Sequence, residues 1–113
     1  MPRRRRTENA CRTYRITYTR DAELDIRALR KQEQARLYES VPRYLTHEPA
    51  APSNARQPLD PNPFEAPWEL RLGELRVLYA IDEPAQTVEV LRAGRKQGNR
   101  LFLRGVPVEM RLL

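Results

Sequence analysis

Cysteine is almost missing from this 113-residue chain: Cys11 stands alone, so no internal disulfide can form and a reducing cytoplasm is the expected setting. No apolar run is long enough to span a bilayer, so no membrane contact is expected. The opening MPRRRRTENACR has no apolar stretch behind its arginines, which excludes a secretory signal reading. One histidine, one cysteine and no carboxylate cluster at ligand spacing give no metal site to expect. Nucleophile elbow, P-loop and dinucleotide fingerprint are all missing too, so no cofactor is expected. Lysine is scarce as well. Only Lys31 and Lys96 interrupt the arginines among 21 basic residues, and the net charge is +6. Such a surplus favours an anionic partner such as nucleic acid, and arginine suits bidentate phosphate recognition. A GC-rich genome would enrich arginine codons in the same way, so position rather than number has to carry the argument.

The length fits one small domain with one modest core. Residues 1–12 read as a disordered basic arm, and 13–113 as a single domain. TYRITYT (13–19) alternates Tyr14, Ile16 and Tyr18 with Thr and Arg and reads as a strand. Thr19 is a candidate N-cap, with Asp21, Glu23 and Asp25 near the positive end of a helix over 20–31. Leu37, Val41, Tyr44 and Leu45 predict a second helix over 33–47, kinked or restarted at Pro42. His47 would close it as a C-terminal cap rather than act as an acid or base. Seven of the ten prolines fall between Pro42 and Pro67, so 48–67 is expected to be a rigid internal loop.

The most informative stretch is WELRLGELRVLYAID (68–82). Gly73-Glu74 suits a two-residue type II′ turn. Leu72 then pairs with Leu75, Arg71 with Arg76, Leu70 with Val77, Glu69 with Leu78 and Trp68 with Tyr79. One face is a core face; the other sets two guanidiniums opposite each other, a destabilising arrangement of up to about 1 kcal/mol. A neutralising acid or an anionic ligand would resolve it; so would splaying of the two side chains into solvent. Residues 87–93 add a strand with Val88 and Val90 buried, ended by Gly94. RKQGNRLFLR (95–104) has four basic residues and no acid, and a last strand or hairpin is expected around Gly105. The whole predicts an α+β fold, in which two helices in the N-terminal part pack on a small, mainly antiparallel sheet of four to five strands. The opposite face is left partly open. Arg71, Arg76, Arg92, Arg95, Lys96, Arg100 and Arg104 all fall on or beside the later strands, where a basic face could meet an RNA backbone.

HEP (47–49), PLDPNPFEAPWELRLGELRVLYAID (58–82) and VLRAGRKQGNRLFLRG (90–105) together resemble the RelE/ParE family of type II toxin–antitoxin toxins, over nearly all of 14–105. The resemblance implies a RelE-like fold and a toxin that cuts messenger RNA in the ribosomal A site without a metal. There, basic side chains polarise the scissile phosphate while the 2′-hydroxyl attacks. ParE-like members share the fold and poison DNA gyrase instead, and a degenerate member would only bind its antitoxin and DNA. By this resemblance Arg71, Arg76 and Lys96 are the catalytic positions, with Glu69 a weaker candidate that could instead form a salt bridge. Arg92, Arg95, Arg100, Phe102 and Arg104 would bind RNA. Glu69 stands where ribosome-dependent members often have lysine, and Phe102 near their functional tyrosine. The implied partners are an acidic antitoxin segment that folds on binding, the ribosome and its mRNA, and operator DNA only through the antitoxin.

Overall fold

The computed structural model describes residues 13–59, 64 and 66–108; the basic arm expected over 1–12 lies outside them. The elements run β1 (Arg15–Tyr18), α1 (Arg20–Arg27), α2 (Lys31–Leu45), β2 (Arg56–Pro58), β3 (Trp68–Leu72), β4 (Leu75–Asp82), β5 (Thr87–Gln97), β6 (Arg100–Leu103) and β7 (Val106–Val108). The expected four to five strands are therefore seven among the described residues, and the helices lie between β1 and β2. The sheet order is β2-β3-β4-β5-β6-β7, with β1 pairing β5 in parallel and every other pair antiparallel.

Local chemistry accounts for the helices. Thr19 caps α1 by accepting from the Ala22 N–H at 3.0 Å. Glu33 accepts from the Arg30 N–H at 3.1 Å, one half of a capping box for α2; a guanidinium has no acceptor for the other half. Both helices end sooner than their apolar spacing suggests, at Arg27 and Leu45, so Thr46 is the C-cap of α2 and His47 follows it. Pro42 does not break α2, which continues to Leu45. Ile26, Leu37, Val41 and Leu45 pack on Leu70, Leu72, Leu75, Val77, Tyr79, Val88, Val90 and Ala93, all buried, and this is the main core.

The β3–β4 register agrees with the sequence expectation at all five pairs, from Trp68↔Tyr79 to Leu72↔Leu75. Gly73 has φ 65° and Glu74 is not left-handed, as a type II′ turn requires. A Cβ at Gly73 would also meet the guanidinium nitrogens of Arg36 at 3.0 and 3.3 Å. Gly73→Ala is therefore expected to cost about 1–2 kcal/mol, measured as a drop of several degrees in Tm.

Two expectations are corrected here. Proline richness does not keep 48–67 free of regular structure: Arg56–Pro58 pairs with Trp68–Leu70, because Ser53 and Arg56 shape the turn that delivers it. Gly94 does not end β5, which runs on to Gln97. It sits where β6 crosses so closely that a Cβ would clash with the Phe102 carbonyl oxygen and Leu103. The second face is partly open, as expected, and partly covered. Leu78, Leu101 and Leu103 form a smaller cluster on it, covered by Ala66 and flanked by Phe64.

Candidate nucleic-acid interface

A bulge decides which basic residues share a face. In β5 the register slips between Leu78 and Tyr79, which pair with Arg92 and Val90 and leave Leu91 extra. Alternation counted from Val88 and Val90 would turn residues 92, 94 and 96 toward the helices. The bulge reverses this: Ala93 and Arg95 face the helices, while Gly94 and Lys96 face the other way, on the side of Arg76. The outer face thus carries Glu69 and Arg71 on β3, Arg76 on β4 and Lys96 on β5, strands about 4.8 Å apart.

Glu69 lies between the two arginines. Its Oε1 accepts from the Arg71 Nε at 3.1 Å, and its Oε2 stands 3.9 Å from the Arg76 Nε. Arg71 is well exposed, with 43% of its side chain accessible, against 12% for Arg76 and 10% for Glu69. Arg76 is held at the turn by donating to the Gly73 and Leu75 carbonyls at 2.6 and 2.9 Å. Its Nε–H is buried and has no acceptor among the described residues. Burial pushes the Arg76 pKa below the ordinary arginine value; Glu69 opposes that shift and Arg71 adds to it. Among the described residues, Lys96 has no ion-pair partner; its backbone N–H donates to the Glu74 carbonyl at 2.8 Å.

The other candidates do not join this group. Arg95, Phe102 and Arg100 are turned to the helix side, where Arg95 pairs with Glu33 of α2. Arg30, Arg95, Phe102 and Arg104 line a separate cavity of about 390 Å³ there. Burial alone would raise the Glu33 pKa, but the Arg95 hydrogen bond, the Arg30 N–H and the two positive charges overrule it and hold the carboxyl below the usual range. A depressed folded-state pKa means that this pair stabilises fully above the unfolded value and loses its effect as pH falls through the folded one. Glu33→Gln should therefore cost a few tenths to about 1 kcal/mol at pH 7. In a melt series run downward from the ordinary 4.5, that difference should close.

Arg92 and Arg104 converge on Asp25 of α1, whose side chain is fully buried. Asp25 accepts from the Arg92 Nε at 2.6 Å, the Arg104 Nε at 2.7 Å and the Ala93 N–H at 3.1 Å. The hydrogen bond to Asp25 holds the Arg104 pKa above its usual value. Arg92 also lies over the Phe64 ring, 4.9 Å from its centre. These two arginines are engaged in holding the fold together. Sequence reading missed Arg36, which projects from α2 over the β3–β4 turn and has no ion-pair partner among the described residues. Nothing local marks it, because only helix packing brings it to the hairpin.

No family model matches the sequence, nor does any curated protein sequence. Solved structures do match. The chain superposes on the toxin–antitoxin complex RelBE2 from Mycobacterium tuberculosis with a TM-score of 0.64 and 27% identity, over 74% of this chain and 92% of the other. An archaeal RelE–RelB complex from Pyrococcus horikoshii OT3 matches with a TM-score of 0.59 and 21% identity, over 74% and 94%.

Proposed function

We infer that this chain, a RelE-like member of the RelE/ParE toxin family, is the toxin of a toxin–antitoxin pair and cleaves messenger RNA on the ribosome. The observation that carries the reading is the outer face: Arg71 and Arg76 opposed across a hairpin, with Lys96 beside them and one buried Arg76 donor lacking an acceptor. A phosphodiester seated there would take hydrogen bonds from both guanidiniums. In-line attack by the adjacent 2′-oxygen would form the new P–O bond as the 5′-oxygen leaves with a proton, giving a 2′,3′-cyclic phosphate and a 5′-hydroxyl. The arginines stay protonated throughout, so their part is to stabilise the charge that builds on the phosphorane. The proton lost by the 2′-hydroxyl and the proton taken up by the 5′-oxygen are exchanged with water, while Glu69, the only carboxylate within ion-pairing distance of both guanidiniums among the described residues, balances their charge.

A basic face of this kind also suits neutralisation by an acidic antitoxin segment that folds on binding. Induced expression of the full chain, followed by mapping of mRNA ends, tests the proposal. New ends within translated codons support it; growth arrest without new ends supports the second reading, a gyrase-directed toxin or a binder that does no chemistry. Two observations favour that second reading: Glu69 neutralises the arginine pair, and Phe102 faces the helices rather than the outer face.

A further inference from the structure

Among the described residues Glu69 is the one acidic side chain set among the cations of the outer face, and its surroundings define what it does there. Directly opposite it on β2 stands Gln57, whose amide donates to the Ser53 carbonyl at 2.8 Å, and opposite on β4 stands apolar Leu78. Its charge therefore answers only to Arg71 and Arg76 among the described residues. The carboxylate satisfies them unequally, bonding Arg71 at 3.1 Å but remaining 3.9 Å from the Arg76 Nε, which is left buried without an acceptor. A planar carboxylate tethered to β3 cannot close both contacts. A tetrahedral phosphate, free to seat deeper and with more oxygens to offer, can.

We propose that Glu69 is an internal competitor for the phosphate, its carboxylate holding the place between Arg71 and Arg76 that an RNA phosphodiester takes. This rests on the RNA-binding reading above. Binding at this face is then an exchange of anions. Glu69 must swing out toward solvent before the phosphate enters, and affinity for a single phosphate is kept low. A strand carrying several phosphates regains it by also engaging Lys96, and Arg36 across the turn. The fold gains as well, since the same carboxylate relieves the repulsion between the arginines while no RNA is bound.

The test is a mutant cycle on the full chain, reading fluorescence anisotropy of a labelled single-stranded RNA oligonucleotide at low salt. Glu69→Gln should bind about fivefold more tightly, the factor for no longer having to break one charge pair about 4 Å apart in water. Repeated in an Arg71→Gln/Arg76→Gln background, the same change should gain little. Unchanged or weaker binding by Glu69→Gln overturns the proposal. So does an equal gain in both backgrounds, which would reflect net charge alone. If the double arginine variant binds RNA as the wild type does, RNA avoids this face and the parent reading fails too. If the arginines matter and Glu69 does not, only the competition fails. Because Glu69→Gln leaves two guanidiniums facing each other, a second readout guards against a loss of folding. Added inorganic phosphate should raise the Tm of Glu69→Gln more than that of the wild type, and equal shifts overturn the idea.

Discussion

Under the proposed mRNA-cleavage function, Arg76→Gln should lower the cleavage rate on programmed ribosomes by about 10²–10³ while leaving the domain folded, because it removes one preorganised donor from a developing charge. The stability side needs both signs. The variant gives up hydrogen bonds from the guanidinium to the Gly73 and Leu75 carbonyls, each worth about 0.5–1.5 kcal/mol. Against that, it removes a charge whose burial is already unfavourable, a buried Nε–H without an acceptor, and the cross-strand repulsion with Arg71. These changes oppose each other, so the net shift should stay within about 1 kcal/mol. Loss of activity with stability kept is the mark of a site rather than a scaffold. A thermal melt run beside the cleavage assay separates the outcomes. An unfolded variant would make Arg76 a structural clip for the hairpin turn, and a folded one that cleaves normally would remove this face from the chemistry.

Asp25→Ala should be far more damaging to folding. Its carboxylate is fully buried and takes two guanidiniums and one backbone N–H. The N–H belongs to Ala93, in the stretch of the β5 edge that neither β1 nor β6 reaches, so Asp25 stands in for a missing strand partner. Thr19 does the same one step away, its hydroxyl donating to the Leu91 carbonyl at 2.9 Å. Asp25 also supports Arg104, a non-glycine residue at φ 54° in the two-residue turn it forms with Gly105 at φ 79°. That left-handed conformation costs about 1–2 kcal/mol, and the bonds to Asp25 and Asp21 offset it. Removing the carboxylate strands two cations and an amide together, an effect of about 3–5 kcal/mol. For a domain whose whole stability is about 5–15 kcal/mol, this is a large share. Asp25→Asn keeps one acceptor oxygen for Ala93 and should lose less. Urea melts of the two variants give the check: an Asp25→Ala protein within about 1 kcal/mol of wild type would mean that the arginines find other partners.

What the amino-acid order determined by itself was local. The β3–β4 hairpin was legible pair by pair, because strict alternation and a glycine that accepts positive φ at the first turn position leave one register. Thr19 as an N-cap was legible for the same reason, since a cap acts within three residues. The opposition of Arg71 and Arg76 followed from that register, and with it the question of what compensates them. Tertiary structure decided the rest. Strand β2 exists because Leu70 and Trp68 offer it an edge to pair with, which no count of prolines reveals. The grouping of the cations turned on one extra residue at Leu91. A single inserted position inverts every later side chain in β5, and so Lys96 joins Arg76 while Arg95 goes to Glu33. Arg92 and Arg104 looked like ligands for RNA in a list of basic residues. Their partner, Asp25, lies 67 and 79 positions away in the chain and meets them only when α1 packs against the open stretch of the β5 edge. Charge can be counted along a sequence, but whether a charge is free or neutralised depends on neighbours that only the folded chain supplies.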